Sequence, residues 1–193
     1  MQTYANLNDK KLIAGCLQHR GDCQKLLYDR YSRQMYSICL RYHKDRHMAN
    51  EALQRGFITV FEKLSNFTGS GDLGGWIRTI IVRKCIDVIK EQKNLKYEDL
   101  EKLEQYNNDW DIIDSAYEQI QYSEIAELLD TLPLGYKTVF SMYVMDGIKH
   151  NEIAESLDIS VATSRSQLYK ARKMMLELVQ DKFKNSRMHK SQL

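Results

Sequence analysis

Proline is nearly absent from this chain of 193 residues, with one in total, and glycine is sparse at nine. That excludes collagen-like and low-complexity architectures and leaves few obligatory helix breaks. No apolar run approaches the roughly 20 residues needed to cross a bilayer. The start, Met-Gln-Thr-Tyr-Ala-Asn, lacks the basic-then-apolar order of a secretory leader. A cytoplasmic protein without membrane insertion is therefore expected. Cys16, Cys23, Cys39 and Cys85 form no CxxC pair and no metal-ligand spacing with histidine, so free thiols and no metal or other cofactor are expected. His43 and His47 are four apart, but no third ligand or partnered nucleophile accompanies them. They read as exposed polar residues, and the chain does not read as an enzyme.

What is abundant is Leu, Ile, Lys, Glu, Gln and Met, residues that lose little freedom in a helix. The fold class expected is all-α. The formal net charge of +2 hides a segregation. Residues 1–96 carry 17 basic and 9 acidic side chains, residues 97–130 carry 11 acids against Lys102, and residues 131–193 carry 10 basic against 6 acidic. The nets are +8, −10 and +4. A block of one sign resists collapse, so residues 94–122 read as an acidic linker between two helical domains, 1–93 and 123–193. Two basic modules suggest nucleic acid as a partner.

In the first module, helical periodicity is expected around residues 10–17 and 24–42, with Leu26, Leu27, Tyr31, Met35, Ile38 and Cys39 inward. From Ala49 a clearer stripe runs through Ala52, Leu53, Phe57, Val60, Phe61 and Leu64. Residues 68–75 form a glycine-rich loop without the GK[ST] ending of a phosphate-cradling loop. A helix then resumes near Trp76 and runs to about Gln92, with Ile77, Ile81, Cys85, Val88 and Ile89 inward. Its other side carries Thr79, Arg83, Ile86, Lys90 and Lys93. Such a stripe can follow a phosphate backbone while Ile86 and Trp76 stack on bases.

In the second module, Thr131-Leu132-Pro133 starts a helix. Leu134, Val139, Phe140, Tyr143 and Val144 supply its apolar face, and Asp146-Gly147 ends it. Residues 151–168 have helix-turn-helix spacing, with Ile153, Ala154 and Leu157 inward, a turn at Asp158 and Ser160 as N-cap of the next helix. On that helix Val161, Ser164, Leu168, Ala171, Met175 and Leu178 face inward. Ala162, Arg165, Ser166, Tyr169, Arg172 and Lys173 lie opposite, with Lys170 at the margin. Early residues of such a helix reach base edges while later cations touch phosphates.

These motifs carry a family resemblance. Leu132-Pro133, Tyr136, Val139-Phe140, Gly147, Glu152-Ile153-Ala154-Glu155, Leu157, Ile159-Ser160, Thr163, Arg165-Ser166, Leu168 and Ala171-Arg172 resemble the fourth region of the ECF-type RNA polymerase sigma factors of the sigma-70 family. Glu51, Gln54, Phe57, Trp76, Ile80 and Cys85-Ile86-Asp87 resemble the second region. The resemblance implies a protein that binds core RNA polymerase and directs promoter-specific initiation. The first module would bind the clamp helices of the largest subunit near Glu51, Gln54 and Arg55, and would open the −10 element with Trp76, Thr79, Arg83, Ile86, Asp87 and Lys90. The second would bind the flap of the second-largest subunit and read the −35 element with Thr163, Arg165, Ser166, Tyr169, Lys170, Arg172 and Lys173. An anti-sigma factor is implied as a further partner.

Against the family pattern, Arg55 and Asn50 stand where acids are usual, Arg83 stands for a frequent asparagine, and Asp158 for a common glycine. Ser164 replaces a valine, and its hydroxyl is expected to bond a carbonyl one turn earlier. A free-standing helix-turn-helix regulator is the alternative, but the first 96 residues show no strand and helix alternation for a receiver sheet.

Overall fold

The computed structural model describes residues 8–91 and 122–190. The acidic linker expected at 94–122, and Lys93 beside it, lie almost wholly outside the described residues. The chain divides into two compact units, Met1–Lys93 and Asn94–Leu193. The described residues are helical with no strand, as the composition leads one to expect.

The first unit holds α1 (Asp9–Leu17), α2 (Gly21–Tyr42), α3 (Arg46–Lys63) and α4 (Leu73–Glu91). Short polar side chains start α1, α3 and α4 by satisfying amide donors that have no partner in a first turn. Asn8 accepts from the Lys11 amide at 3.0 Å, and Asp45 accepts from His47 and Met48 at 2.7 and 3.1 Å. Asp72 accepts from Gly74 and Gly75 at 3.2 and 2.7 Å. That last cap is why α4 begins at Leu73, one turn before the expected Trp76.

The core is Leu12, Leu27, Met35, Ile38, Cys39, Leu53, Phe57, Val60, Ile77, Ile81 and Cys85 with their neighbours. Leu26, Tyr31 and Phe61 reach only its edge, being half-buried. Gly56 lets α3 and α4 approach closely, since a Cβ there would run into Ile81. The four cysteines are free and buried; Cys39 and Cys85 bring α2 and α4 together with sulfurs 3.7 Å apart. Burial, then the neighbouring Cys23 and Asp22, pushes the Cys16 thiol up to about 11. His43, expected at the surface, is buried at the end of α2.

The second unit holds α5 (Tyr122–Thr131), α6 (Leu134–Phe140), α7 (His150–Leu157) and α8 (Val161–Lys190). A π turn, Ser141–Met145, follows α6. It corrects the apolar face expected there. The Asp146 amide donates to Ser141 at 3.0 Å, five residues back, so side chains advance by less than the 100° of an α-helix. Met142 is consequently buried, while Tyr143 and Val144 turn outward. Lys137 is 3% exposed and bonds Asp130 at 2.6 Å.

Candidate nucleic-acid interface

Within the second unit α7 and α8 form the helix-turn-helix. Asp158 takes the left-handed conformation at the end of α7, φ 56°, ψ 49°, and the Ile159 amide donates to Ala154 at 3.0 Å. Asparagine and aspartate reach this region at lower cost than most residues with a Cβ. The Ser160 hydroxyl accepts from the Thr163 amide at 2.9 Å, capping α8 as its position in the sequence suggests.

Along α8, Arg165 and Lys173 are exposed and Tyr169, Lys170 and Arg172 half-exposed. Arg165, Tyr169, Arg172 and Lys173 form one line at helical spacing. Lys170 leans toward the Tyr136 ring, 5.7 Å from its centre. Two expected members leave this face. Thr163 is buried and its hydroxyl contacts that of Ser160 at 2.8 Å. Ser166 is buried and donates to the Thr163 carbonyl at 3.0 Å. The inward arc is wider than periodicity alone suggests because α5, α6 and α7 all lie against α8. Gln167 and Val179 belong to it, while Val161 and Leu178 are only half-buried.

Ser164 is wholly buried, but its hydroxyl partners the His150 ring Nδ1 at 2.9 Å rather than the carbonyl expected. His150 stacks on Tyr143, ring centres 4.4 Å apart. Sequence reasoning missed this pair of rings. The available signal was a hydroxyl on a predicted apolar face, which requires a buried partner.

In the first unit, Thr79, Arg83 and Lys90 are exposed along α4 and Asp87 half-exposed, paired with Lys84 at 2.9 Å. Trp76 is half-buried and tilts against Phe67, centres 5.5 Å apart. Ile86 does not belong to this face. It is 2% exposed, because α2 and α3 both cover α4 and close over more of its circumference than one neighbour would.

Gln54 is exposed on α3, and Arg55 bonds Glu51 at 2.6 Å and Glu91 at 2.7 Å. Arg55 thus ties α3 to the end of α4. Arg55, Ile58, Thr59, Lys84, Asp87, Lys90 and Glu91 line a shallow groove between these helices, with Ile58 59% exposed. Among the described residues no cluster of three or more metal-ligating side chains occurs. None of their helices is long and apolar enough to cross a membrane.

Comparison with known proteins follows the same division. Residues 27–95 match the family model described as Sigma-70 region 2, and residues 116–175 match Sigma-70, region 4. The chain is 25% identical over 184 residues to the ECF RNA polymerase sigma-E factor of Haemophilus influenzae, covering 90% of this chain and 96% of that one. It is likewise 25% identical over 181 residues to the ECF RNA polymerase sigma factor SigW of Bacillus subtilis, covering 89% and 97%. Among solved structures it is similar to CnrH, determined in complex with the cytosolic domain of CnrY, with TM-score 0.49, 16% identity and 90% and 97% of the two chains covered. With both region models matched in order over more than half of its length, and relatives of the same kind aligned nearly end to end, the chain belongs to the sigma-70 family as an ECF-type RNA polymerase sigma factor.

Proposed function

We propose that this protein joins core RNA polymerase in the cytoplasm and directs initiation from promoters whose −35 element is read by α8 and whose −10 element is opened by α4. The observation that carries the reading is the line of exposed or half-exposed Arg165, Tyr169, Arg172 and Lys173 on the second helix of a capped helix-turn-helix. A helix entering the major groove by its N-terminal end puts Arg165 nearest the base edges, where a guanidinium matches guanine bidentately. Lys170, Arg172 and Lys173 then fall to the phosphates.

On α4, Arg83 and Lys90 follow the backbone of the −10 strand and Thr79 and Asp87 flank them. Trp76, partly open beside Phe67, offers a stacking surface. Glu51, Gln54 and Arg55 form the polymerase-facing patch, where the bridge from Arg55 to two glutamates mutes the acidity usual in the family. The protein supplies binding and positioning without a catalytic step of its own. An anti-sigma factor is the remaining proposed partner.

Run-off transcription with purified core polymerase on a promoter library tests the reading. Transcripts from a shared promoter sequence, absent without the protein, are expected. Tight operator binding by the chain alone, with no transcription from added core enzyme, would instead identify a free-standing regulator.

A further inference from the structure

His150, Tyr143 and Ser164 form a cluster in the second unit beside the proposed DNA-reading face. His150 opens α7, and its ring lies on that of Tyr143, centres 4.4 Å apart and planes 24° from parallel. Its Nδ1 is 2.9 Å from the buried Ser164 hydroxyl on α8. The Arg172 guanidinium stands 6.0 Å from the centre of the same Tyr143 ring. Burial comes first among the influences on the imidazole, and the positive charges of Arg165 and Arg172, both on α8, add to it.

One ring face and one nitrogen are therefore committed. Nε2 makes no hydrogen bond among the described residues and is not enclosed, which leaves that edge of the ring to an outside partner. An imidazole edge whose stacking partner Tyr143 also carries the Arg172 guanidinium over its ring suits an anion. In a helix-turn-helix the first helix crosses the DNA backbone while the second enters the groove, so the anion available at the start of α7 is a backbone phosphate.

We propose that His150 Nε2, together with Arg172, binds a phosphate of the DNA backbone and that the imidazole takes up a proton when it does so. This rests on the reading of α7 and α8 as the DNA-binding pair. Ser164 suits both protonation states, since a hydroxyl can donate to neutral Nδ1 or accept from Nδ1–H. The valine usual at this position could do neither.

In the free protein, burial and then the Arg165 and Arg172 charges hold His150 below the ordinary histidine value of 6.5. A phosphate offsets the Arg172 charge and adds an acceptor at Nε2, and each effect favours the imidazolium. DNA affinity consequently rises as pH falls, by at most about tenfold per pH unit, because one proton sets the slope.

The test measures fluorescence anisotropy of a short mixed-sequence DNA duplex with the full chain at low salt, across a pH series from about 8 down to 5.5. Affinity of the native protein should strengthen severalfold per unit toward acid. His150→Gln, which keeps an amide able to bond Ser164 but cannot titrate, should lose that slope. Calorimetric titration of the native protein in two buffers of different ionisation heat counts the proton without any variant, and uptake of a substantial fraction of one proton is expected. Absence of uptake, or an equal pH slope in His150→Gln, overturns the proposal while leaving the DNA-binding reading intact. No duplex binding by either protein at any pH would overturn both.

Discussion

Arg165 and Lys173 are both exposed cations on α8, two turns apart, and the proposed reading gives them different work. Arg165→Ala should cost about 1 to 3 kcal/mol and relax preference at one −35 position, while Lys173→Ala should weaken all promoters alike. Binding of the reconstituted polymerase to a panel of −35 variants separates the two. Gly56 tests packing in the same residue-by-residue way. Gly56→Ala gains about 1 kcal/mol of helix propensity, but its Cβ runs into the Ile81 side chain, which is wholly buried and has little room to shift. Overpacking of a filled core costs about 1 to 3 kcal/mol, so a net loss is expected in urea denaturation. Gly21→Ala, with nothing within 4 Å, should gain a few tenths of a kcal/mol, up to about 1.

The element scale brings out pairings that neither helix specifies alone. Lys137 on α6 is buried against Asp130 on α5, whose carboxylate is half open to solvent. Asp130→Ala strands an ammonium and should cost about 1 to 3 kcal/mol, whereas Lys137→Met removes the need for a partner and should be nearly neutral. Thermal unfolding of the two variants decides this. His150 joins α7 to α8, and its native pKa lies below 6.5 through burial and the two arginines. The unfolded chain therefore takes up this proton first as pH falls. The contribution is fully present above about 6.5 and is lost as pH falls through that value toward the depressed native one. Melting of the second unit should drop between about pH 7.5 and 5.5, and less so in His150→Gln.

At the scale of the whole molecule, charge is the organising quantity. Eleven acids between residues 97 and 130 stand between segments of net +8 and +4. In the free protein such a segment is expected to compete with DNA phosphates for cationic faces, through an attraction screened beyond roughly 10 Å at 0.1 M salt. Replacing Glu98, Asp99, Glu101, Glu104, Asp109, Asp111 and Asp114 with their amides should strengthen nonspecific duplex binding severalfold at low salt, with the gain fading as salt rises. Equal binding by the two proteins in an anisotropy titration at low salt would show that the acids act as a spacer only.

The sequence by itself determined the helices other than α5, the turn at Asp158, the cap at Ser160, the core stripe of α4 and that of α3 apart from Phe61. These depend on local spacing, and each local preference agrees with its neighbours. It also carried the outward line of Arg165, Tyr169, Arg172 and Lys173, because residues spaced at i, i+4, i+7 and i+8 occupy one face in any α-helix. Only the tertiary structure decided how wide each buried face is. Ile86, Thr163 and Ser166 sit at angles that one neighbouring helix would leave open, and two or three neighbours cover them. The π turn was equally invisible, since it moves Tyr143 and Val144 outward against the apolar pattern they form in the sequence. His150 and Ser164 are 14 residues apart and meet because the left-handed turn at Asp158 folds α8 back across α7. Partnership of that kind is set by packing between elements, and spacing along the chain does not encode it.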